Sequence, residues 1–422
     1  MRRSISLAGA AALALMLAAC GSSTTPSDPT TTPEATESET ATEEPSEAPE
    51  AAGSLVIWVD ETRQGPVQAA ASTFEAETGA TVELVLKNFD DIRPDFLAQV
   101  PTGEGPDLTV GAHDWLGELV KNGVVSPIEL GDKADAFEPI ARQAFTFEDQ
   151  VYGLPYAIEN VAIIRNTALA DSTPATWDEM IAKGIEAGTK YPFLVQVGET
   201  GDGYTLYPLQ TSFGAPVFTQ DADGMYTNEL ALGGENGVAF ANFLADEAEA
   251  GILSTSMTYD IAVEAFANGE SPYILGGPWM IGAFEGLDLS IDPVPSAGGE
   301  QARPFTGIQG FYLNAQSENQ LLATDFLVNY MATLDAQIAL YEAGDRTPAL
   351  TEAADQVSAN PILAGFRAVG AESVPMPNIP EMGQVWAFWG VTEAGIISGS
   401  LEPEAAWNKM VEDIQGAIDA AS

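Results

Sequence analysis

The residues that decide the fold are LVIWV at 55–59, VELVL at 82–86 and DLTVG at 107–111, with the segments between them. Each run is short and rich in β-branched or large apolar residues, which is typical of a strand. Apolar residues recur at helical spacing in residues 67–74 and again in residues 92–100. Strands that start about 25 residues apart, with helices between them, predict βαβ units and a parallel sheet, so the fold class is α/β.

Polar and aromatic residues follow these strands. In open α/β sheets, ligands bind beyond the carboxyl ends of the strands. The candidates here are Asp60, Thr62 and Arg63 after the first strand, and His113, Asp114 and Trp115 after the third. A ligand site at this edge is one interpretation; the other is an ordinary surface turn, which carries the same residue types.

The rest of the chain is more helical and too long for one core. Residues 53–422 predict two domains, because a single hydrophobic core stops growing near this length. Further helices are predicted at residues 177–187, 235–250, 261–267, 319–332 and 403–421.

The amino terminus predicts export. Arg2 and Arg3 precede an apolar run over residues 5–19, which suits a signal peptide and is too short to span a membrane. The run ends in Leu17-Ala18-Ala19-Cys20-Gly21, which resembles a bacterial lipobox. That resemblance implies a signal peptide at residues 1–20, a lipid on Cys20 and a location on the extracytoplasmic face of the cell membrane. An ordinary cleaved signal peptide with a chance cysteine is the alternative.

Residues 21–52 form a second zone of Ser, Thr, Pro, Glu and Ala, and contain no Lys or Arg. Such a segment has too little apolar surface to offset the entropy of ordering. We expect a disordered acidic tether that holds the folded part away from the bilayer.

Composition excludes several function classes. The net charge of −47 excludes nucleic acid as a partner, since phosphate binding needs clustered cations. His113 and Cys20 are the only histidine and the only cysteine, so a catalytic triad or a zinc cluster is poorly supplied. No Gly-rich phosphate loop is followed by Lys-Ser or Lys-Thr. We expect no catalytic residue, metal or cofactor, although paired carboxylates of a glycosidase and an acidic pocket for a cationic solute stay open.

The seven tryptophans divide into two groups by position. Trp58, Trp177 and Trp407 lie within predicted strands or helices, where packing is their usual role. The other four follow strand ends or Pro-rich turns and are candidates for stacking on a flat ligand: Trp115, Trp279, Trp386 and Trp389.

Six segments resemble the maltose-binding protein family in that family's order, across essentially all of residues 53–422. They are residues 55–59, residues 105–108 with Ala112-His113-Asp114, Tyr156-Ala157-Ile158-Glu159, residues 204–209, Gly277-Pro278-Trp279 and residues 376–382. That family supplies the extracellular sugar-binding component of ATP-driven importers.

The resemblance implies the ligand-binding residues position by position. They are Asp60, Thr62, Arg63, Ala112 and Asp114 on the first lobe, Glu159 beside the hinge, Asp202, Tyr204, Trp279 and Trp386 on the second lobe, and Met376 within the last matching segment. Three departures concern stacking and charge. Gly111 stands where the family has tryptophan, Trp115 where it has arginine, and Ala387 and Gly390 where it has tyrosine and arginine. We expect Trp115 to supply the missing stacking surface.

The resemblance also implies a two-lobe periplasmic-binding-protein-like fold with a hinge and an interlobe ligand cleft. Lobe one would comprise residues 53–157 and 311–356, and lobe two residues 158–310 and 357–422. The implied function is binding of an oligosaccharide of the maltose or maltodextrin type by a monomer and its delivery to the membrane permease of an ABC importer.

Overall fold

A computed structural model describes residues 53–221 and 226–421. The predicted signal peptide, Cys20 and the predicted tether lie outside the described residues. The strands are β1 (Ser54–Val59), β2 (Thr81–Leu86), β3 (Leu108–Ala112), β4 (Val125–Ser126), β5 (Thr146–Phe147), β6 (Gln150–Val151), β7 (Gly153–Glu159), β8 (Ala162–Asn166), β9 (Leu194–Val195), β10 (Phe218–Gln220), β11 (Tyr226–Leu230), β12 (Tyr273–Gly276), β13 (Leu289–Asp292), β14 (Phe305–Asn314), β15 (Thr347–Pro348) and β16 (Val374–Pro375).

The α-helices and other helical turns connect these strands. The α-helices are α1 (Glu61–Thr78), α2 (Phe89–Gln99), α3 (Leu116–Lys121), α4 (Pro139–Ala144), α5 (Trp177–Glu186), α6 (Gly203–Thr211), α7 (Gly234–Glu249), α8 (Tyr259–Ala267), α9 (Gln320–Asp325), α10 (Leu334–Gly344), α11 (Thr351–Val357), α12 (Pro361–Gly370), α13 (Met382–Trp386), α14 (Trp389–Ile397) and α15 (Pro403–Ala421). Short 3₁₀ turns include His113–Trp115 and Pro278–Phe284, and a π-helical turn covers Phe326–Met331.

The first sheet has the strand order β2-β1-β3-β14-β7-β15, with β4 and β16 paired to the ends of β14. Strands β1, β2 and β3 are parallel, and α1 and α2 connect them, which confirms the predicted βαβ units. Strand β14 returns much later in the chain and runs antiparallel between β3 and β7. Because β1 and β3 end at one edge, the residues that follow them are brought close together.

The second sheet is smaller, with the order β13-β8-β12-β9. Only β12 and β9 are parallel; the other two pairs are antiparallel. Each sheet is the centre of one lobe, and the chain passes from the first to the second after β7 and back again between β13 and β14. The residue boundaries of the two lobes stay a prediction.

The later helices agree with the predicted periodicity. Helices α5, α7, α8 and α15 cover the predicted segments, and Gly79 ends α1 in a left-handed conformation, as a helix stop requires. The predicted helix over residues 319–332 is α9 followed by the π-helical turn. In the part of the chain that the structure describes, no helix is both long and apolar enough to span a membrane.

Gly390, which stands where the family has arginine, packs against Gly201. Gly201 has φ +71°, and a Cβ added to it would lie 1.8 Å from the carbonyl oxygen of Gly390. Gly390 in turn lies against the carbonyl of Thr200. The absence of a side chain at position 390 therefore lets the loop before α6 approach α14, and this approach places Asp202 at the start of α6.

Substituting Gly201 by Ala should destabilise the protein more than the same change at Gly188. Both glycines have positive φ, but a Cβ at Gly188 has nothing within 4 Å. We expect Gly188→Ala to lower the free energy of unfolding by about 1 kcal/mol, the cost of the backbone conformation alone. Gly201→Ala should cost about 3 kcal/mol, because the overlap with Gly390 adds to it. Urea unfolding of both variants measures the difference. Equal losses of unfolding free energy would show that the loop does not depend on the close contact between Gly201 and Gly390.

Candidate functional site

The residues after β1 form a buried charged pair. Asp60 caps α1 by accepting a hydrogen bond from the backbone N–H of Arg63 at 3.1 Å, and its other oxygen is ion-paired with the Arg63 guanidinium. Arg63 Nε donates to the Tyr156 hydroxyl, and the guanidinium lies 4.8 Å from the centroid of the Phe89 ring. Burial lowers the pKa of Arg63, opposed by the neighbouring Tyr156. Its Nη2 atom has no hydrogen-bond partner among the described residues.

The turn after β3 carries Asp114, which is buried. Its Oδ2 atom accepts a hydrogen bond from the indole N–H of Trp386 at 2.9 Å, while its Oδ1 atom is buried without a partner in the described structure. Burial raises the pKa of Asp114 to about 6, against the opposing effect of the Arg93 charge. A carboxyl group held in this way gains from a hydroxyl that donates to its free oxygen.

Glu159 ends β7, where the chain leaves the first sheet, and is only 7% exposed. One of its oxygens accepts from the side-chain amide of Gln309 at 2.8 Å, and the other is ion-paired with Nε of Arg346. Burial by itself lowers the pKa of Arg346, but the charges of Glu159 and Tyr156 and the hydrogen bond to Glu159 together outweigh it, so the pKa of Arg346 is raised. A buried carboxylate paired on both oxygens is fixed in position.

The second lobe contributes a carboxyl group and two rings. Asp202 caps α6 by accepting from the backbone N–H of Thr205 at 3.0 Å, and it also accepts from Gln196. Burial raises the pKa of Asp202. The rings of Tyr204 and Trp279 lie 6.2 Å apart at 46°. The Arg346 guanidinium, from the edge of the first sheet, lies 5.6 Å from the centroid of Trp279 and so connects the two lobes.

Tyr204 lies where the acids of both lobes converge. Its pKa is raised well above the usual value by burial and by the charges of Glu159, Asp202 and Asp114. A Cβ added to Gly307 would lie 3.3 Å from the Tyr204 hydroxyl and 3.4 Å from Oε1 of Glu159, so the glycine allows both groups to approach. Residues from both lobes and from the crossing between them therefore surround one phenol.

Buried polar atoms without partners concentrate in this region. Of nine such side-chain atoms among the described residues, five belong to cleft residues: Arg63 Nη2, Asp114 Oδ1, Gln196 Oε1, the Tyr204 hydroxyl and Gln309 Oε1. Because an unpaired buried polar atom costs about 1–3 kcal/mol, native proteins rarely hold several in one place. The cluster contains donors and acceptors side by side, which suits a ligand with many hydroxyl groups.

Three other predicted ligand-binding residues, Ala112, Met376 and Thr62, differ in how far they are buried. Ala112 and Met376 are buried; the backbone oxygen of Ala112 accepts from Tyr312 at 2.8 Å, and that of Met376 bonds His113 at 3.0 Å. Thr62 is half-buried beside Gly344.

Trp115 lies over the backbone of Gly111, where a Cβ would be 2.6 Å from its ring. Its ring packs against that of Phe89 at 5.1 Å and is mostly buried. The ring thus fills the space beside position 111 left free by the missing side chain.

Trp389 is one of the four predicted stacking residues, and the structure leaves its ring no exposed face. It is fully buried, and its indole N–H donates to Gln210 at 3.0 Å. The prediction that it offers a face to a ligand is wrong, because the ring is enclosed by Tyr207, Phe305 and Trp386. Trp279 and Trp386, by contrast, are half-buried and keep exposed surface.

The sequence interpretation missed five residues of the site: Tyr156 as a hydrogen-bonding group, Phe89, Gln196, Gln309 and Arg346. Tyr156 lies in one of the six resembling segments, but the other four positions carry no local motif, since the folding of distant segments brings them together. One available signal was the scarcity of cations. The chain has only 15 Lys and Arg against 62 Asp and Glu, so each arginine was a candidate for a specific ion pair.

Comparisons with known proteins agree with this architecture. The family of bacterial extracellular solute-binding proteins matches residues 69–365. The chain is 25% identical to the galactooligosaccharide-binding protein of Bacillus subtilis, over 97% of this chain and 96% of that one. It is 24% identical to a maltooligosaccharide ABC transporter solute-binding lipoprotein of Streptococcus pneumoniae, over 99% and 97%.

A solved structure is more similar still. The Thermus thermophilus maltotriose-binding protein bound with maltotriose has a TM-score of 0.79 and 32% identity, over 86% of this chain and 100% of that one. Two α/β lobes with a polar and aromatic cleft define the class of ligand-capturing proteins. The chain belongs to the bacterial extracellular solute-binding protein family.

Replacing Asp114 by Asn should stabilise the free protein at neutral pH. Burial puts the pKa of Asp114 at about 6, above the unfolded value of 3.8, so ionisation penalises the folded state above pH 6 and not below pH 3.8. We expect Asp114→Asn to gain up to about 3 kcal/mol at pH 7.5, with the gain vanishing near pH 4. Chemical unfolding of both proteins at the two pH values measures this; a gain that does not depend on pH would contradict the assignment.

Proposed function

We propose that this protein binds a neutral oligosaccharide of the maltodextrin type between its lobes and delivers it, without hydrolysis, to an ABC import permease. The observation that carries the proposal is the group of five unpartnered buried polar atoms beside the half-buried rings of Trp279 and Trp386. A sugar hydroxyl both donates and accepts, so one hydroxylated ring can satisfy donors and acceptors that lie side by side. Its flat face suits an aromatic ring.

The charge balance supports a neutral ligand over a cationic solute. The two arginines, Arg63 and Arg346, are each ion-paired with one acid, Asp60 and Glu159. A receptor for an amine would leave these two carboxylates free for the ligand. Stacking and charge-assisted hydrogen bonds together support about −8 kcal/mol of binding, which is a micromolar complex.

The same geometry supports binding rather than hydrolysis. A glycosidase needs one carboxyl group that donates a proton and a second that is free to attack or to activate water. Both oxygens of Glu159 already have donors, and Asp114 accepts from Trp386. The relatives are named for binding, and their names divide between galactooligosaccharide, maltooligosaccharide and maltotriose.

Closure of the lobes is the transport signal in this proposal. Lobe one consists of residues 53–157 and 311–356, lobe two of the remainder, and the sugar favours the closed state by contacting both. The contacts in the proposed site are Asp60, Thr62, Arg63, Ala112, Asp114, Trp115, Glu159, Asp202, Tyr204, Trp279, Met376 and Trp386. The protein acts as a monomer, held at the outer face of the cell membrane by a lipid on Cys20.

Calorimetric titration with maltose, maltotriose, longer maltodextrins and galactooligosaccharides tests the function directly. We expect micromolar binding of at least one α-glucan and intact sugar after prolonged incubation, checked by chromatography. Released monosaccharide would support a glycosidase, and heat with none of the sugars would refute the proposal.

Tyr204→Phe should weaken sugar binding about tenfold, because it removes a buried hydroxyl that has no partner among the described residues and is free to bond the ligand. Tyr207→Phe is the matched control. Tyr207 lies on the same helix, is buried, and stacks on Phe305 at 3.6 Å, and its hydroxyl is not one of the unpartnered buried atoms of the described residues. Its variant should bind within about twofold of wild type. Calorimetry measures both, and equal affinities for Tyr204→Phe and wild type would remove the hydroxyl from the site.

Cys20→Ala should release the protein from the membrane. A thioether-linked diacylglycerol supplies the anchor in this proposal, and alanine cannot be acylated. In cells that express the full-length chain, we expect the wild type in the detergent phase after Triton X-114 partitioning and the variant in the aqueous phase or the medium. A variant that stays in the detergent phase would show that another segment anchors the protein.

A further inference from the structure

Gln309 lies on β14, the strand between β3 and β7 in the first sheet. It is paired with Ala112 of β3 on one side and with Ala157 of β7 on the other. The register of β14 against β7 shifts between Gln309 and Gly310. Such a bulge re-aims a side chain and recurs beside functional sites. The Gln309 side chain is 4% exposed and reaches the Glu159 carboxylate.

The orientation of this side chain is fixed by charge. A carboxylate only accepts hydrogen bonds, so the amide nitrogen of Gln309, not its oxygen, faces Oε1 of Glu159. Arg346 holds the other oxygen of Glu159. The carboxylate therefore cannot turn away, and Oε1 of Gln309 is left facing elsewhere.

That oxygen is buried and has no hydrogen-bond partner among the described residues. It is an acceptor, so only a donor satisfies it. Glu159 offers no donor, and the Arg346 guanidinium is directed at Glu159 and the Trp279 ring. The Tyr204 hydroxyl lies beside Glu159 and is itself unpartnered, so it does not supply the missing bond.

We propose that Gln309 is a ligand-binding and specificity-determining residue, whose side-chain oxygen accepts a hydrogen bond from one hydroxyl of the bound sugar. The proposal rests on the proposed function and extends it. It assigns Glu159 and Gln309 to adjacent hydroxyls, with Arg346 as the positioning residue that holds Glu159. A sugar that lacks the hydroxyl at this place leaves the Gln309 oxygen unpaired and is rejected.

The matched control for Gln309→Met is Gln337→Met. Gln337 is also fully buried, its amide donates to the carbonyl of Met331 at 3.2 Å, and its Oε1 has no partner among the described residues. It lies inside α10, in the packing of that helix rather than in the cleft. Both substitutions keep side-chain length and remove the amide, so a purely structural effect should be similar in the two variants.

The first measurement is calorimetric titration of wild type and both variants with the sugar that wild type binds best. We expect Gln309→Met to weaken binding at least tenfold and Gln337→Met to stay within about twofold of wild type. Unchanged affinity in Gln309→Met, with wild type binding, would overturn the inference and leave the proposed function intact. No binding by wild type to any sugar would refute both.

The second measurement separates direct contact from an effect through Glu159. Analogues of the same sugar, each lacking one hydroxyl, are titrated into wild type and Gln309→Met. We expect one analogue to bind wild type at least tenfold more weakly than the complete sugar does. The same analogue should bind Gln309→Met as well as the complete sugar does, because the variant already lacks the hydrogen bond that the missing hydroxyl would make. If every analogue loses affinity by the same factor on both proteins, Gln309 acts only by holding Glu159, and the proposed contact is wrong.

Discussion

The buried carboxylate of Glu159 constrains everything around it. It lies where the chain leaves the first sheet, and a buried charge is tolerated only with partners on its oxygens. Arg346 comes from the edge strand beside β7 and Gln309 from the central strand β14, so the ion pair and the amide bond require the whole antiparallel half of the sheet. Arg346 then lies over Trp279 of the other lobe. The Glu159 carboxylate thereby fixes Arg346 on the hinge side of the cleft, and Arg346 contacts the Trp279 ring of the second lobe.

Stability and binding conflict in this cleft. Asp114 is ionised at neutral pH at a cost to folding, since burial raises its pKa to about 6. The free Nη2 of Arg63 and the free hydroxyl of Tyr204 are similar costs, because each leaves a buried polar atom unpaired. A hydroxyl-rich ligand removes several of these costs at once. The groups that destabilise the free protein are the same groups that would make closure around a sugar favourable.

The departures from the family pattern form physical pairs. Gly111 has no side chain, and the ring of Trp115 covers it and packs on Phe89. Gly390 has no side chain either, and the loop of Gly201 fills its space. In both cases the family has a large side chain where this chain has glycine, and another residue fills the space. At position 111 that residue is Trp115, four positions away, and at position 390 it is Gly201, which is distant in sequence. These two departures therefore change the packing beside Gly111 and beside Gly390.

The sequence by itself determined the parallel βαβ units, most helices, and the acids and tryptophans at strand ends, because periodicity, caps and strand ends are local properties of the chain. It also carried the six segments that resemble the maltose-binding protein family. Only the tertiary structure decided which tryptophans keep a free face, since Trp386 and Trp389 have the same local setting and differ in what covers them. Only the tertiary structure brought Gln309 and Arg346 to Glu159. Those contacts join residues 150 and 187 positions apart, and no local pattern records which strands will become neighbours.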